Sequence, residues 1–245
     1  CKTHFFSTES LETHYSKKLS CSKGTKVEKT ALWPEMWPLD KLEHERLDMG
    51  SAMFACSYLN DISGLMEGFI FKKEWFQYFD KLPSGHTYRY KMGVDLASSE
   101  REEADYTARA IIAEDEEMNV YVLSVYRDKR ETGHRQFVLD GYNAYPLIER
   151  ILVENNQFQS TLVKDLLNTT RLPIIGKRAD VDKVTRARAV AARYESHKVF
   201  HHKSLAGSDF EVEELQFPKG HDDMIDALGH AMETGGGAFW YGALG

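Results

Sequence analysis

Cysteine is scarce in this chain, and the three present, Cys1, Cys21 and Cys56, are odd in number. That argues against a disulfide framework and for reduced thiols. Cys1, His4, His14 and Cys21 offer zinc-type donors, but their spacing fits no standard zinc pattern. No apolar run is long enough to cross a bilayer, and no secretory leader pattern opens the sequence. A cytoplasmic setting with no membrane partner is the expectation. No Gly-x-x-x-x-Gly-Lys-Ser/Thr succession occurs, so the usual backbone cradle for nucleotide phosphates is missing. Basic excess is missing too: 31 Lys and Arg against 38 Asp and Glu leave a net charge of −7, whereas a basic balance is the ordinary footprint of a nucleic-acid binder.

What the chain does hold, over 245 residues of which 42% are hydrophobic, suits one good-sized core with a small appendage. Its densest chemistry is Gly220-His221-Asp222-Asp223-Met224-Ile225-Asp226-Ala227-Leu228. At about 3.6 residues per turn, Asp222 and Asp226 share a helix face and Asp223 lies one residue round, while Met224, Ile225, Leu228 and Met232 pack inward. Carboxylates this close repel unless protons or cations neutralise them. Hard divalent cations suit such an all-oxygen cluster. The alternative is that these acids only cap the helix and answer its dipole.

Tyr88 to Ala97 alternates apolar residues as a strand that delivers Asp95 at or near its end, with Gly93 allowing close backbone approach and Ser98 to Glu103 forming a loop. Asp95 taken alone also suits a turn. Asp105 to Ala113 and Val120 to Tyr126 read as two further strands, joined by a hairpin over Asp115, Glu116, Glu117 and Asn119. An apolar run after Pro146 ends at Glu154, Asn155 and Asn156. It reads as a buried strand with Glu154 at its mouth, or as part of a buried helix. Phe158 to Leu167 suits a helix, Leu172 to Ile175 a short strand and Val181 to Tyr194 another helix. Such alternation gives an α/β domain in which parallel pairing is added to an antiparallel hairpin.

In this order the pieces resemble the nuclease domain of the large terminase subunit of tailed bacteriophages. The resemblance is carried by Gly-Val-Asp-Leu-Ala at 93–97, Asp-Tyr-Thr-Ala at 105–108 and Val-Glu-Asn-Asn-Gln-Phe-Gln at 153–159. It continues through Asp-Lys-Val-Thr-Arg-Ala at 182–187 and Phe-Pro-Lys-Gly-His-Asp-Asp-Met-Ile-Asp-Ala at 217–227, and spans about 86 to 235. It implies an α/β, ribonuclease H-like fold with a mixed central sheet flanked by helices. It also implies a metal-dependent endonuclease that cuts concatemeric double-stranded DNA during genome packaging in the host cytoplasm. The implied cofactor is Mg²⁺ or Mn²⁺, with two ions when DNA is bound. Such ions, about 3.5–4 Å apart, need acids from several elements. On this footing Asp95, Glu154 and Asp223 are catalytic, and Asp95, Glu154, Asp222 and Asp223 are the candidate ligands. Asp223 is preferred over Asp222, a choice the residues alone leave open. Asp105, His221 and Asp226 take supporting places beside the ligands, or structural ones. The implied partners are double-stranded DNA, the terminase small subunit and the portal of the procapsid.

The acidic balance is uneven along the chain. Residues 171–203 hold nine Lys or Arg and three Asp or Glu, 9 − 3 = +6, which leaves −13 for the remainder. Arg178, Lys183, Arg186 and Arg188 are the candidate phosphate contacts, and Arg127, Lys129, Arg130 and Arg135 form a second cluster on the connector after the third strand. The bland alternative is a solvated helix face. Residues 1–85 read as a linker or remnant of an ATPase-side region, with a helix over Lys41 to Tyr58, a strand or helix over Glu67 to Phe79 and a linker at Pro83, Ser84 and Gly85; 86–245 read as the nuclease domain. Since large terminase subunits carry an ATPase ahead of the nuclease, the chain is expected to be a portion that cuts DNA without translocating it. The tail from Gly235 to Tyr241 suits portal docking or a disordered end. Two rivals stay open: another ribonuclease H-like nuclease such as a Holliday-junction resolvase, and a non-catalytic module that grips DNA or docks on the portal.

Overall fold

The apolar alternation of the sequence builds a seven-stranded mixed sheet in the computed structural model, which describes residues 31, 33–59, 61, 70–96, 106–129, 133–154, 159–177 and 182–233. The strands are β1 (Gln77–Phe79), β2 (Arg89–Asp95), β3 (Thr107–Glu114), β4 (Val120–Asp128), β5 (Ile148–Glu154), β6 (Ile174–Lys177) and β7 (Val199–His202). They lie in the order β1-β7-β4-β3-β2-β5-β6. β2, β3 and β4 form an antiparallel meander. Parallel partners extend it on both sides, β5 and β6 beyond β2, and β7 and β1 beyond β4. Strands covered on both faces have no need of a polar side, and β3 is buried almost throughout.

The helices are α1 (Leu39–Met49), α2 (Ser51–Leu59), α3 (His134–Ala144), α4 (Gln159–Thr169), α5 (Lys183–Glu195), α6 (Asp209–Gln216) and α7 (Asp223–Met232). One face of the sheet packs Ala108, Ala110, Ile112 and Val122 against Val190 and Ala191 of α5, Phe210 of α6, and Ile225 and Leu228 of α7. The other packs Met92, Val94, Ile111 and Val153 against Phe137 and Val138 of α3 and Val163 and Leu166 of α4. The two-residue period of β3 divides its side chains between these cores. α7 is the most enclosed helix: every residue after Asp223 is buried, including the four apolar positions expected to face inward.

α7 reaches the sheet through Gly93. A Cβ built there would stand 2.0 Å from the Ala227 carbonyl oxygen and 2.3 Å from the Ala231 nitrogen, so no side chain fits between the helix and β2.

Several expectations are refined. The helix read over 41–58 is two helices, broken at Gly50, whose φ of +79° suits glycine. There Ala192 of α5 would lie 3.1 Å from an added Cβ, and the Glu195 carboxylate accepts from the Ser51 amide at 2.8 Å, starting α2 afresh. β6 begins after Pro173, which has no N–H for a ladder; its carbonyl accepts from Ile151 instead, at 2.8 Å. The stretch ending at Phe79 forms a 3₁₀ turn (Lys73–Trp75) and then β1, while Ile70, Phe71 and Phe76 join the core. β7, α3 and α6 have no counterpart among the sequence expectations. Asp105, Arg130, Arg178, the Cys1, His4, His14 and Cys21 set and the tail from Gly235 lie outside the described residues. Among the described residues no helix is long and apolar enough to cross a membrane.

The Gly93 contact is backbone on backbone and cannot relax by a rotamer change. Gly93→Ala is therefore expected to lower stability by about 3 kcal/mol, as overpacking against fixed atoms does. Urea unfolding tests this, and a loss well under about 1 kcal/mol would contradict direct seating of α7 on β2.

Candidate active site

Pairing of β2 with β5 in parallel sets Val94 opposite Val153, so one residue further on Asp95 and Glu154 stand side by side at the carboxyl ends of the strands. Adjacent strands lie about 4.8 Å apart. Alternation fixes which way both acids point. Met92, Val94 and Val153 face α3 and α4, so Gly93, Asp95 and Glu154 face α7. On that side the Glu154 carboxylate lies 3.3 Å from His230 Nε2 and 3.9 Å from Arg186 Nη1. α7 crosses β2 with Ala227 and Ala231 over Gly93, which brings its acidic start to the end occupied by Asp95.

The electrostatics record this convergence. The carboxyl of Asp95 is raised well above its ordinary value of 3.8, first by desolvation and then by the negative charges of Asp226, Glu154 and Asp223, with Lys183 opposing. Asp223 is raised by burial and by Asp222, against the pull of Lys183 and His221. Five carboxylates thus share one small region.

Two cations from α5 partly answer them. Asp182 caps that helix, its carboxylate accepting from the Thr185 amide at 3.0 Å, and this sets Lys183 and Arg186 on one face, three residues apart. Arg186 donates to Asp226 Oδ1 from Nη2 at 2.8 Å and from Nε at 3.0 Å. Lys183 donates to Asp222 at 2.8 Å and reaches Asp226 at 3.3 Å. Burial works against the Lys183 charge, but its hydrogen bond to Asp222 and the fields of Asp226, Asp222 and Asp95 outweigh it, and its pKa is raised. Gly229 leaves room for the Arg186 stem, which would lie 3.3 Å from an added Cβ.

Of the candidate site residues, Asp95, Glu154, Asp222, Asp223 and Asp226 meet here. Lys183 and Arg186 point into the acidic cluster. Arg188 is half-buried on α5, and His221 lies at the rim, 3.9 Å from Asp223 and edge-on to the Tyr106 ring. Arg127 belongs to β4 and Arg135 to α3, rather than to a connector, because β4 runs on to Asp128. Two residues escape the sequence reading. His230 follows Asp226 by four, a same-face spacing that could have found it. Glu213 of α6 accepts from the Met224 and Ile225 amides, and nothing local announces that contact.

All-oxygen donors in mutual repulsion suit a hard divalent cation. Among the described residues, however, no three His, Cys, Asp or Glu side chains close into a preformed metal cage. Lys183 and Arg186 take part of the counterion role instead. The donor set fits the cation.

With divalent cations chelated, the folded protein holds the Asp95 proton more tightly than the unfolded chain does. Its contribution to stability is complete below the ordinary value of 3.8 and is lost as pH rises through the raised folded value. Asp95→Asn removes that loss. Under chelation the variant is expected to exceed the parent in stability by on the order of 1 kcal/mol at about pH 8, with the gap closing toward about pH 4. Urea unfolding at both values checks it, and a variant weaker than the parent by the same margin at each would contradict like-charge strain at Asp95.

The family model of the terminase RNaseH-like domain matches residues 92–234, more than half of the chain. No curated protein matches it in sequence. Among solved structures, the large terminase nuclease of thermophilic phage G20c, solved with bound magnesium, is similar at 11% identity and a TM-score of 0.50, over 68% of this chain and 97% of that one. The large terminase of a second thermophilic bacteriophage, in complex with ADP, is similar at 13% identity and a TM-score of 0.58, over 78% of this chain and 50% of that one. Both likenesses concern the fold, which is the ribonuclease H-like one expected from the sequence. With the family model laid over both acid-bearing strand ends and the whole of α7, this chain belongs to the terminase RNaseH-like domain family.

Proposed function

We propose that this chain is the nuclease of a terminase large subunit, a divalent-metal-dependent endonuclease that cuts concatemeric double-stranded viral DNA during genome packaging. The observation that carries this reading is the meeting of Asp95 and Glu154, from paired strand ends, with the acidic start of α7. A structural cap needs one carboxylate, whereas five drawn from three elements suit a cation site.

In this reading Asp95, Glu154 and Asp223 hold Mg²⁺ or Mn²⁺, two ions when DNA is bound, with Asp222 the alternative to Asp223. The magnesium in the G20c relative supports that class of cation. Such an ion, when bound, supplies charge that lowers the pKa of water and stabilises the scissile phosphate. The chain does the rest. Asp226 keeps Arg186 at the floor of the cluster, where the guanidinium limits repulsion between Glu154 and the acids of α7. Lys183, with 55% of its side chain exposed, stands at the mouth and offers its ammonium to a DNA phosphate. Arg188, half-buried on the same helix, is a further candidate phosphate contact, as is Arg178, which lies outside the described residues. Phosphate contacts position DNA without reading its sequence, so cutting is tolerant of sequence and sensitive to salt. The small terminase subunit and the portal are the partners of the larger assembly, acting in the host cytoplasm.

A plasmid nicking assay tests the proposal. With Mg²⁺ or Mn²⁺ the parent is expected to nick and then linearise, and EDTA to stop it. Asp95→Asn, Glu154→Gln and Asp223→Asn should each lose about a thousandfold or more in rate while remaining folded, as members of one unit do. Equal cutting by parent and Asp95→Asn would falsify the assignment. A strong preference for four-way junctions over linear duplex would redirect it to junction resolution.

A further inference from the structure

The acidic helix lacks a cap of its own. Asp222 occupies the N-cap position of α7, but its side chain makes no capping hydrogen bond, and its carboxylate is engaged by Lys183 at 2.8 Å. The orphan amides of the first turn are met from elsewhere. Glu213 Oε1 accepts from Met224 N at 2.8 Å and from Ile225 N at 3.2 Å. Glu213 is itself buried, and its Oε2 accepts from Arg127 Nη1 at 2.7 Å. That guanidinium, from β4, stands 4.6 Å from the centre of the Tyr106 ring. The first turn of α7 is thus tied through one carboxylate to α6 and to the sheet.

We propose that Glu213 is a positioning residue for the active site: by capping α7 from α6 it frees Asp222 and Asp223 from the capping role and holds them toward Asp95. This rests on the nuclease reading above. In most helices an Asp in this place would turn inward to its own N2 and N3 amides. A remote cap leaves the acids of α7 to face the cluster. Burial pushes the Glu213 carboxyl up to about 7, with the two amides and Arg127 pulling it down and Asp223 pushing it up, so this cap carries an unusually costly charge. A carboxyl serving the fold alone would be replaceable by an apolar side chain without consequence for metal binding.

The test compares parent, Glu213→Leu and Glu213→Gln. Leucine keeps most of the volume and has no acceptor, whereas the glutamine carbonyl can still receive both amides. Mn²⁺ affinity is read by calorimetry, kcat and KM by nicking, and the Met224 and Ile225 amides by hydrogen exchange. Glu213→Leu should weaken Mn²⁺ binding and lower kcat by about 10- to 100-fold, the range seen when support for metal ligands is removed. KM for DNA should stay unchanged, and Glu213→Gln should restore most of the loss. Glu214→Gln, one residue on and fully buried, should leave Mn²⁺ affinity and kcat unchanged. Parental Mn²⁺ affinity and kcat in Glu213→Leu would overturn the proposal. Should the leucine variant not fold, Glu213→Ala decides: amide protection and Mn²⁺ affinity lost together support the role, and parental affinity overturns it. A parent that binds Mn²⁺ without cutting DNA would sink the nuclease reading instead, and calorimetry would still judge Glu213.

Discussion

Repulsion among carboxylates gathered at one end of a sheet is the constraint to which the rest of the structure answers. Asp95, Glu154, Asp223 and Asp226 could each be solvated cheaply if they stood apart. The fold instead brings them together from two strands and a buried helix, and Asp95 carries the strain as a raised pKa. Like charges in a poorly hydrated site destabilise the folded chain unless something of opposite sign is supplied. Arg186 and Lys183 supply part of it, and the donor set is suited to a cation for the remainder.

The architecture that produces this convergence is simple in its parts. Parallel pairing of β2 with β5 puts two strand ends at one level. The absent side chain of Gly93 lets α7 lie directly on β2. The cap on α5 fixes which of its faces is cationic. Each feature belongs to ordinary fold-building, and the candidate site lies where they coincide, outside the carboxyl ends of the strands, where open α/β sheets commonly place ligands.

Asp95 and Glu154 are legible in the sequence because strand periodicity announces both the element and its end. The acids at the start of α7 are legible because Asp222, Asp223 and Asp226 fall within five residues. Lys183 and Arg186 are visible as a basic run, but a charge run does not say whether it faces a nucleic acid or an acidic helix folded over it. Among the other basic residues of that stretch, Arg193 donates to the Met118 carbonyl and Lys203 lies 3.6 Å from Asp80. The Gly50 break, the four-residue β7 and the remote cap from Glu213 share one cause of illegibility: each is decided by a contact far away in sequence. Local pattern carries the elements, and tertiary pairing decides what their side chains do.

The central claim is that these acids form one cation site. Anomalous diffraction from a crystal of this chain soaked in Mn²⁺ tests it most directly. The expected result is a Mn²⁺ peak bounded by the side chains of Asp95, Glu154 and Asp223 or Asp222, with Lys183 drawn away from its carboxylate partners. Full Mn²⁺ occupancy elsewhere, with Lys183 and Arg186 still seated on Asp222 and Asp226, would contradict it.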